Sequence, residues 1–84
     1  MNRQWVLFHL REAQEELQQT IEDIDTDASY GRPEFMVAMQ HLYNHVNTAW
    51  NSQDVTDAQT AAHTHADYDR WGRYPEDLPT MAVQ

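Results

Sequence analysis

Apolar residues recur every three or four positions from Arg3 to Asp27, which is the period of an α-helix. Two rows of residues seven apart run along this segment: Leu10, Leu17 and Ile24 in one, and Val6, Ala13 and Thr20 in the other. Gln, Glu and Arg fill most other positions, and all three favour helix. The pattern predicts one long amphipathic helix with a nearly heptad stripe.

A second helical pattern runs from about Pro33 to Asn51, after a turn that contains Gly31. Its apolar stripe is broad and comprises Phe35, Met36, Met39, Leu42, Tyr43, Val46, Ala49 and Trp50. Two antiparallel helices joined by a short turn cover only part of such stripes. The surplus apolar surface therefore predicts a further layer of structure.

Only short elements are predicted after Asn51. Residues 56–63 form a short helix capped by Asp54 or Thr56, and a second cap precedes residues 68–71. Pro75 and Pro79 then favour extended backbone before them. We expect residues 1–79 to form a single helical domain and residues 80–84 to form a frayed tail.

These elements predict an all-α fold, a long antiparallel helical hairpin with one or two short C-terminal helices, which dimerises into a four-helix bundle. A second copy would relieve the shortage of core in a chain of 84 residues without disulfides. The predicted interface consists of Leu10, Leu17, Ile24, Met39, Tyr43, Val46 and Trp50.

Charge and cysteine content exclude or disfavour several classes of function. The formal net charge is −9, from 14 Asp and Glu against 5 basic residues, all of them Arg. This balance disfavours nucleic acid and anionic membranes as partners, and no apolar run is long enough to span a bilayer. The absence of cysteine excludes disulfides, thiolate metal sites and cysteine nucleophiles, and it fits a cytoplasmic protein.

The turn between the two predicted helices carries a candidate calcium site. Asp23, Asp25, Asp27 and Glu34 occupy positions one, three, five and twelve of a segment that resembles the loop of the EF-hand family. The resemblance implies a Ca²⁺ ion held by these carboxylates, with two oxygens from Glu34. Ala28 departs from it, because that position normally needs Gly. The alternative is an acidic helix end followed by an ordinary turn.

Histidines provide a second candidate metal site. His41 and His45 are four residues apart on the second helix, so both point the same way and could hold Zn²⁺ with a third ligand from the first helix. Glu12, Glu16 and His9 are the candidates for that ligand. Residues 63–69 carry possible metal ligands at alternate positions, which a helix would scatter, so this segment is a less favoured candidate metal site. The alternative is a set of solvated histidines beside the apolar stripe.

The sequence contains no nucleophile–base motif and no carboxylate in a predicted apolar pocket, so we do not expect an enzyme. We expect a homodimeric protein-interaction or regulatory module whose acidic outer face suits a basic protein partner. The alternative is a metal-responsive binding protein that uses the acidic turn or the histidine pair. Either Trp71 caps the core, or it forms an interface with Tyr68, Arg70 and Arg73.

Overall fold

A computed structural model describes residues 1–81, and all the regular structure in that range is helical. The helices are α1 (Arg3–Thr26), α2 (Arg32–Asn51), α3 (Asp57–Ala61) and α4 (His65–Trp71). The two long helices agree closely with the sequence prediction. Residues 82–84 of the predicted tail lie outside the described residues.

Local hydrogen bonds explain where the helices begin. The side chain of Asn2 accepts from the Trp5 backbone N–H at 3.2 Å and so caps α1. The Glu34 carboxylate accepts from the Gly31 backbone N–H at 3.0 Å at the start of α2, where Pro33 supplies a preset helical φ. Thr56 and Thr64 form reciprocal capping boxes on α3 and α4. These caps leave only residues 27–31 between the long helices.

α1 and α2 pack against each other as an antiparallel pair. Trp5 on α1 contacts Ser52 at the end of α2, and His9, about one turn further along α1, contacts His45. Glu16 then lies opposite His41, so residue numbers rise on α1 as they fall on α2. The predicted helical hairpin is therefore confirmed.

Small and polar residues, rather than the large apolar ones, fill the contact between the two helices. The buried positions include Ala13 and Thr20 on α1 and Ala38, Thr48 and Ala49 on α2. Short side chains let the helix axes approach closely. The large apolar residues lie to one side of this contact, where the hairpin alone does not bury them.

The C-terminal arm, residues 56–81, packs on α2 through asparagines. Asn47 donates to the Gly72 carbonyl at 2.9 Å, and Asn51 donates to the carbonyls of Trp71 and Arg73, both at 2.7 Å. The backbone approaches so closely here that a Cβ on Gly72 would lie 2.6 Å from the Asn44 side chain. Asn47 and Asn51 thus have a structural role, because they anchor the end of α4, and Asn44 packs against it.

The chain is open and elongated for its size. Its accessible surface is 6678 Å², whereas a compact monomer of 9.9 kDa is expected to expose about 5,200 Å². Its radius of gyration is 14.8 Å, against about 12 Å for a compact domain of 84 residues. The single chain therefore leaves an unusual amount of surface uncovered.

Within residues 1–81, none of the helices combines the length and the apolar character that crossing a bilayer requires.

Candidate functional site

One side of the hairpin carries a continuous apolar surface, called the apolar face here. Its residues are Val6, Leu10, Leu17, Ile21 and Ile24 on α1 and Phe35, Met39, Leu42, Val46 and Trp50 on α2. Seven of them keep between 38% and 54% of their maximal exposure: Leu10, Leu17, Ile21, Ile24, Phe35, Val46 and Trp50. All ten are uncharged, so nothing on this surface opposes its removal from water.

The C-terminal arm covers a different side of the hairpin from the apolar face. Asn44, Asn47 and Asn51, which meet the arm, are rotated by about 100–160° around α2 from Val46 at 100° per residue. The arm reaches the apolar face only at one end, where Asp77 accepts from the Trp50 indole N–H at 2.9 Å and Leu78 lies nearby. Tyr43, at the edge of the face, remains 61% exposed. The chain's own tail therefore does not supply the missing layer.

A pocket lies at the end of the apolar face that is remote from the turn. Its volume is about 270 Å³, and it lies between the two long helices. Its walls are formed mainly by Val6, Leu10, Val46, Ala49, Trp50 and Leu78. Nearly all the lining is apolar, so the pocket suits an apolar side chain or ligand rather than a charged one.

A histidine pair lies between the helices next to the apolar face. The Nδ1 atoms of His9 and His45 are 3.1 Å apart, which fits a single N–H shared by two neutral rings. His9 is buried, and its Nε2 has no hydrogen-bond partner among the described residues. Burial first, and then the nearby His45 and His63, lower the pKa of His9 from 6.5 to about 4.

Aromatic rings enclose the buried side of this pair. Trp5 packs edge-on against His9, with ring centres 4.4 Å apart, and against Trp71 at 6.2 Å. The Trp5 indole N–H donates to Ser52 Oγ at 2.8 Å, and that hydroxyl in turn donates to the Thr48 carbonyl. Trp71 is buried in this cluster, so it caps the core and does not form an exposed aromatic patch.

The two histidines of the predicted zinc site have different partners in the structure. His45 pairs with His9, whereas His41 Nδ1 lies 3.8 Å from the Glu16 carboxylate on the exposed side. His63 lies beside the rings of Trp5 and Trp71, with ring centres 6.4 and 5.9 Å away, whereas His65 contacts Asp69 at 3.4 Å. No three potential ligands gather anywhere in residues 1–81. Zinc binding stays a prediction, and it would need side chains to move.

The predicted calcium loop is not a continuous loop. Asp23 and Asp25 belong to the last turns of α1, and Glu34 belongs to the first turn of α2, where its carboxylate caps Gly31. Asp27 accepts hydrogen bonds from the Ser29 hydroxyl and backbone N–H, which lower the pKa of the Asp27 carboxyl. Asp23 also accepts from the Gln19 side chain at 2.8 Å. Three of the four carboxylates thus serve as structural acceptors, and calcium binding also stays a prediction.

Sequence reasoning identified the apolar stripes but missed the group around Ser52. A serine at the end of α2 looks like an ordinary helix stop, yet Ser52 is 1% exposed and links both long helices. The available signal was Trp5, because a buried indole N–H needs an acceptor. That rule shows that the indole needs a hydrogen-bond acceptor, but it does not show which residue provides it.

No protein-family model matches this chain, and no curated protein or solved structure shows significant similarity to it. Functional conclusions therefore depend on the geometry of the chain itself.

Proposed function

We propose that this chain is a non-catalytic protein-interaction module that works as a homodimer, in which the apolar faces of two hairpins pack into a four-helix bundle. The observation that carries the proposal is the half-exposed apolar face, which neither long helix nor the C-terminal arm covers. Contiguous apolar surface of this extent is typical of an interaction site.

The surface area supports a second copy as the partner. The chain exposes 6678 Å², about 1,500 Å² more than expected for its mass. A stable interface removes about 800 Å² from each partner. Burial of most of the apolar face would remove an area of that order from each chain.

The composition of the face also favours self-association. Two chains with a formal charge of −9 repel each other, so their contact must avoid the acidic side chains. The apolar face satisfies this condition, because its residues are uncharged and Gln14, Gln18 and Gln53 lie along its borders. A basic partner would be expected on a different surface, namely the acidic exterior that remains after dimerisation.

A regulatory role follows from this arrangement, with the dimer as scaffold and its acidic exterior as the surface for a basic protein. The two copies together carry a formal charge of −18, twice the −9 of one chain. This charge would steer basic partners towards the dimer and make their binding sensitive to salt. We place the module in the cytoplasm, a setting that suits a chain without cysteine.

The dependence of thermal stability on protein concentration tests the proposal. Because folding and association of an obligate dimer are coupled, the midpoint of thermal unfolding should rise by several degrees between 1 and 100 µM chain. Circular dichroism at 222 nm gives that midpoint directly. A midpoint that is constant over this range, together with strong binding of an apolar dye, would mean that the face stays open in solution.

A further inference from the structure

The apolar face has a different shape at its two ends. The end remote from the turn contains the pocket of about 270 Å³ between α1 and α2. The end next to the turn carries Phe35, which is 43% exposed in the first turn of α2. A cavity of about 150 Å³ already accommodates a benzene ring, so the pocket has room for one phenyl group.

Leu42 lies midway along α2 between the two ends of the apolar face. Phe35 and Ala49, which lines the pocket, are each seven residues from Leu42, or about 10 Å along the helix axis in opposite directions. A two-fold axis perpendicular to the hairpin at Leu42 would therefore bring Phe35 of each copy level with the pocket of the other. A two-fold axis parallel to the hairpin would instead place pocket against pocket.

Charge favours the same arrangement. Residues 22–34 at the turn end carry five carboxylates and one arginine, a net −4: Glu22, Asp23, Asp25, Asp27 and Glu34 against Arg32. Residues 1–13 and 49–57 at the other end carry two arginines and three carboxylates, a net −1: Arg3 and Arg11 against Glu12, Asp54 and Asp57. Turns at the same end would hold two groups of −4 close together, within about one or two Debye lengths. Turns at opposite ends place each acidic turn beside the less acidic end of the partner.

From this juxtaposition we infer that the second copy docks with its turn at the opposite end, so that Phe35 of each chain enters the pocket of its partner. The inference rests on the proposed homodimer and specifies its symmetry. Two identical contacts form, and each pocket is complete only when the other chain supplies the phenyl ring. Such a closed, self-complementary contact limits assembly to two copies.

The distance between the two turns tests the orientation. The chain has no cysteine, so Ala28→Cys provides one attachment point for a spin label in the exposed turn. Pulsed electron paramagnetic resonance should give a separation of roughly 40 Å, because each turn lies about 22 Å from the centre of the hairpin. Turns at the same end would lie one helix spacing apart, which gives label distances below about 25 Å.

Substitution of Phe35 tests the contact itself. Phe35→Ala should raise the dissociation constant of the dimer about a hundredfold, because it empties both pockets. Met36→Ala is the matched control, since Met36 is 56% exposed but lies about 100° further around α2. It should change the constant less than about threefold. Circular dichroism checks that both variants remain helical.

The outcomes separate this inference from the proposal beneath it. A distance near 40 Å and a selective effect of Phe35→Ala support the opposed docking. A dimer with a short distance, or one that tolerates Phe35→Ala as well as Met36→Ala, overturns the inference and leaves the homodimer intact. A labelled protein that sediments as a monomer, with no dipolar coupling, overturns both.

Discussion

Leu17→Glu is expected to convert the dimer into a folded monomer. Leu17 lies near the middle of the apolar face of α1 and is 46% exposed in the single chain, so the monomer loses little when it changes. In the dimer the same position is covered, and a carboxylate there must be desolvated without a partner. Both copies carry the change, so the dissociation constant should rise at least a hundredfold, which is about 3 kcal/mol. Light scattering at micromolar concentration measures the result.

Gln40→Glu is the matched control for this variant. Gln40 is exposed and lies at nearly the same height along the hairpin as Leu17, because its neighbour His41 faces Glu16. Its side chain points about 100–130° away from the apolar face of α2. The added charge is identical, so the dimer should persist. If both variants dissociate equally, net charge rather than the apolar face controls assembly; if neither dissociates, Leu17 is not in the interface.

Acidification from pH 6.5 to pH 4 is expected to destabilise the fold through His9. The pKa of this residue is about 4 in the folded chain and 6.5 in the unfolded chain. Above pH 6.5 both states hold the neutral ring, so His9 causes no pH dependence. Between pH 6.5 and about 4 the unfolded state binds the proton and the folded state does not, so stability falls by about 2 to 3 kcal/mol. Below pH 4 this residue causes no further loss.

The main physical cause is burial of the His9 ring, and its contact with His45 adds to the effect. A neutral pair shares one N–H between the Nδ1 atoms of His9 and His45, which are 3.1 Å apart. A proton added to His9 places a positive charge in a buried site, next to His45 and near His63, which is why its pKa is lowered. Protonation of His9 therefore disfavours the packing of α1 against α2 at this level. The same helices present the apolar face, so the dimer should weaken with the fold.

Chemical denaturation at a series of pH values measures this effect, and variants isolate it from the titration of the carboxylates. His9→Asn keeps a polar side chain beside His45 and removes the titrating ring. The loss of stability between pH 6.5 and 4 should therefore shrink by about 2 kcal/mol in this variant. His65→Asn, a change at a histidine with an 88% exposed side chain, should leave the loss unchanged. Equal slopes for the wild-type chain and His9→Asn would contradict the account.

The sequence predicted the helices well because their signals are local. The spacing of apolar residues, Gly31 and Pro33 together specify two helices and a short turn, and the observed boundaries differ by one residue at the end of α1 and the start of α2. Caps such as Thr64 identified the short elements for the same reason. These features depend on residues within four positions of each other.

The contact between the helices could not be predicted in the same way. A stripe gives the apolar side of a helix, but it does not state which edge meets the neighbouring helix. Ala13, Thr20 and Ala38 form that contact because short side chains permit close approach, and Leu10 and Leu17 are left outside. His41 and His45 lie four residues apart on α2, as the sequence shows, but they meet different residues of α1. Which residues they meet depends on how far α1 is shifted along its axis relative to α2, and no local sequence pattern specifies that shift.

The most direct test of a shared apolar face is the mass of the unmodified chain in solution. Sedimentation equilibrium between 1 and 100 µM should give about twice the chain mass of 9.9 kDa, with dissociation only at the lowest concentrations. A species of one chain mass throughout that range would contradict the account.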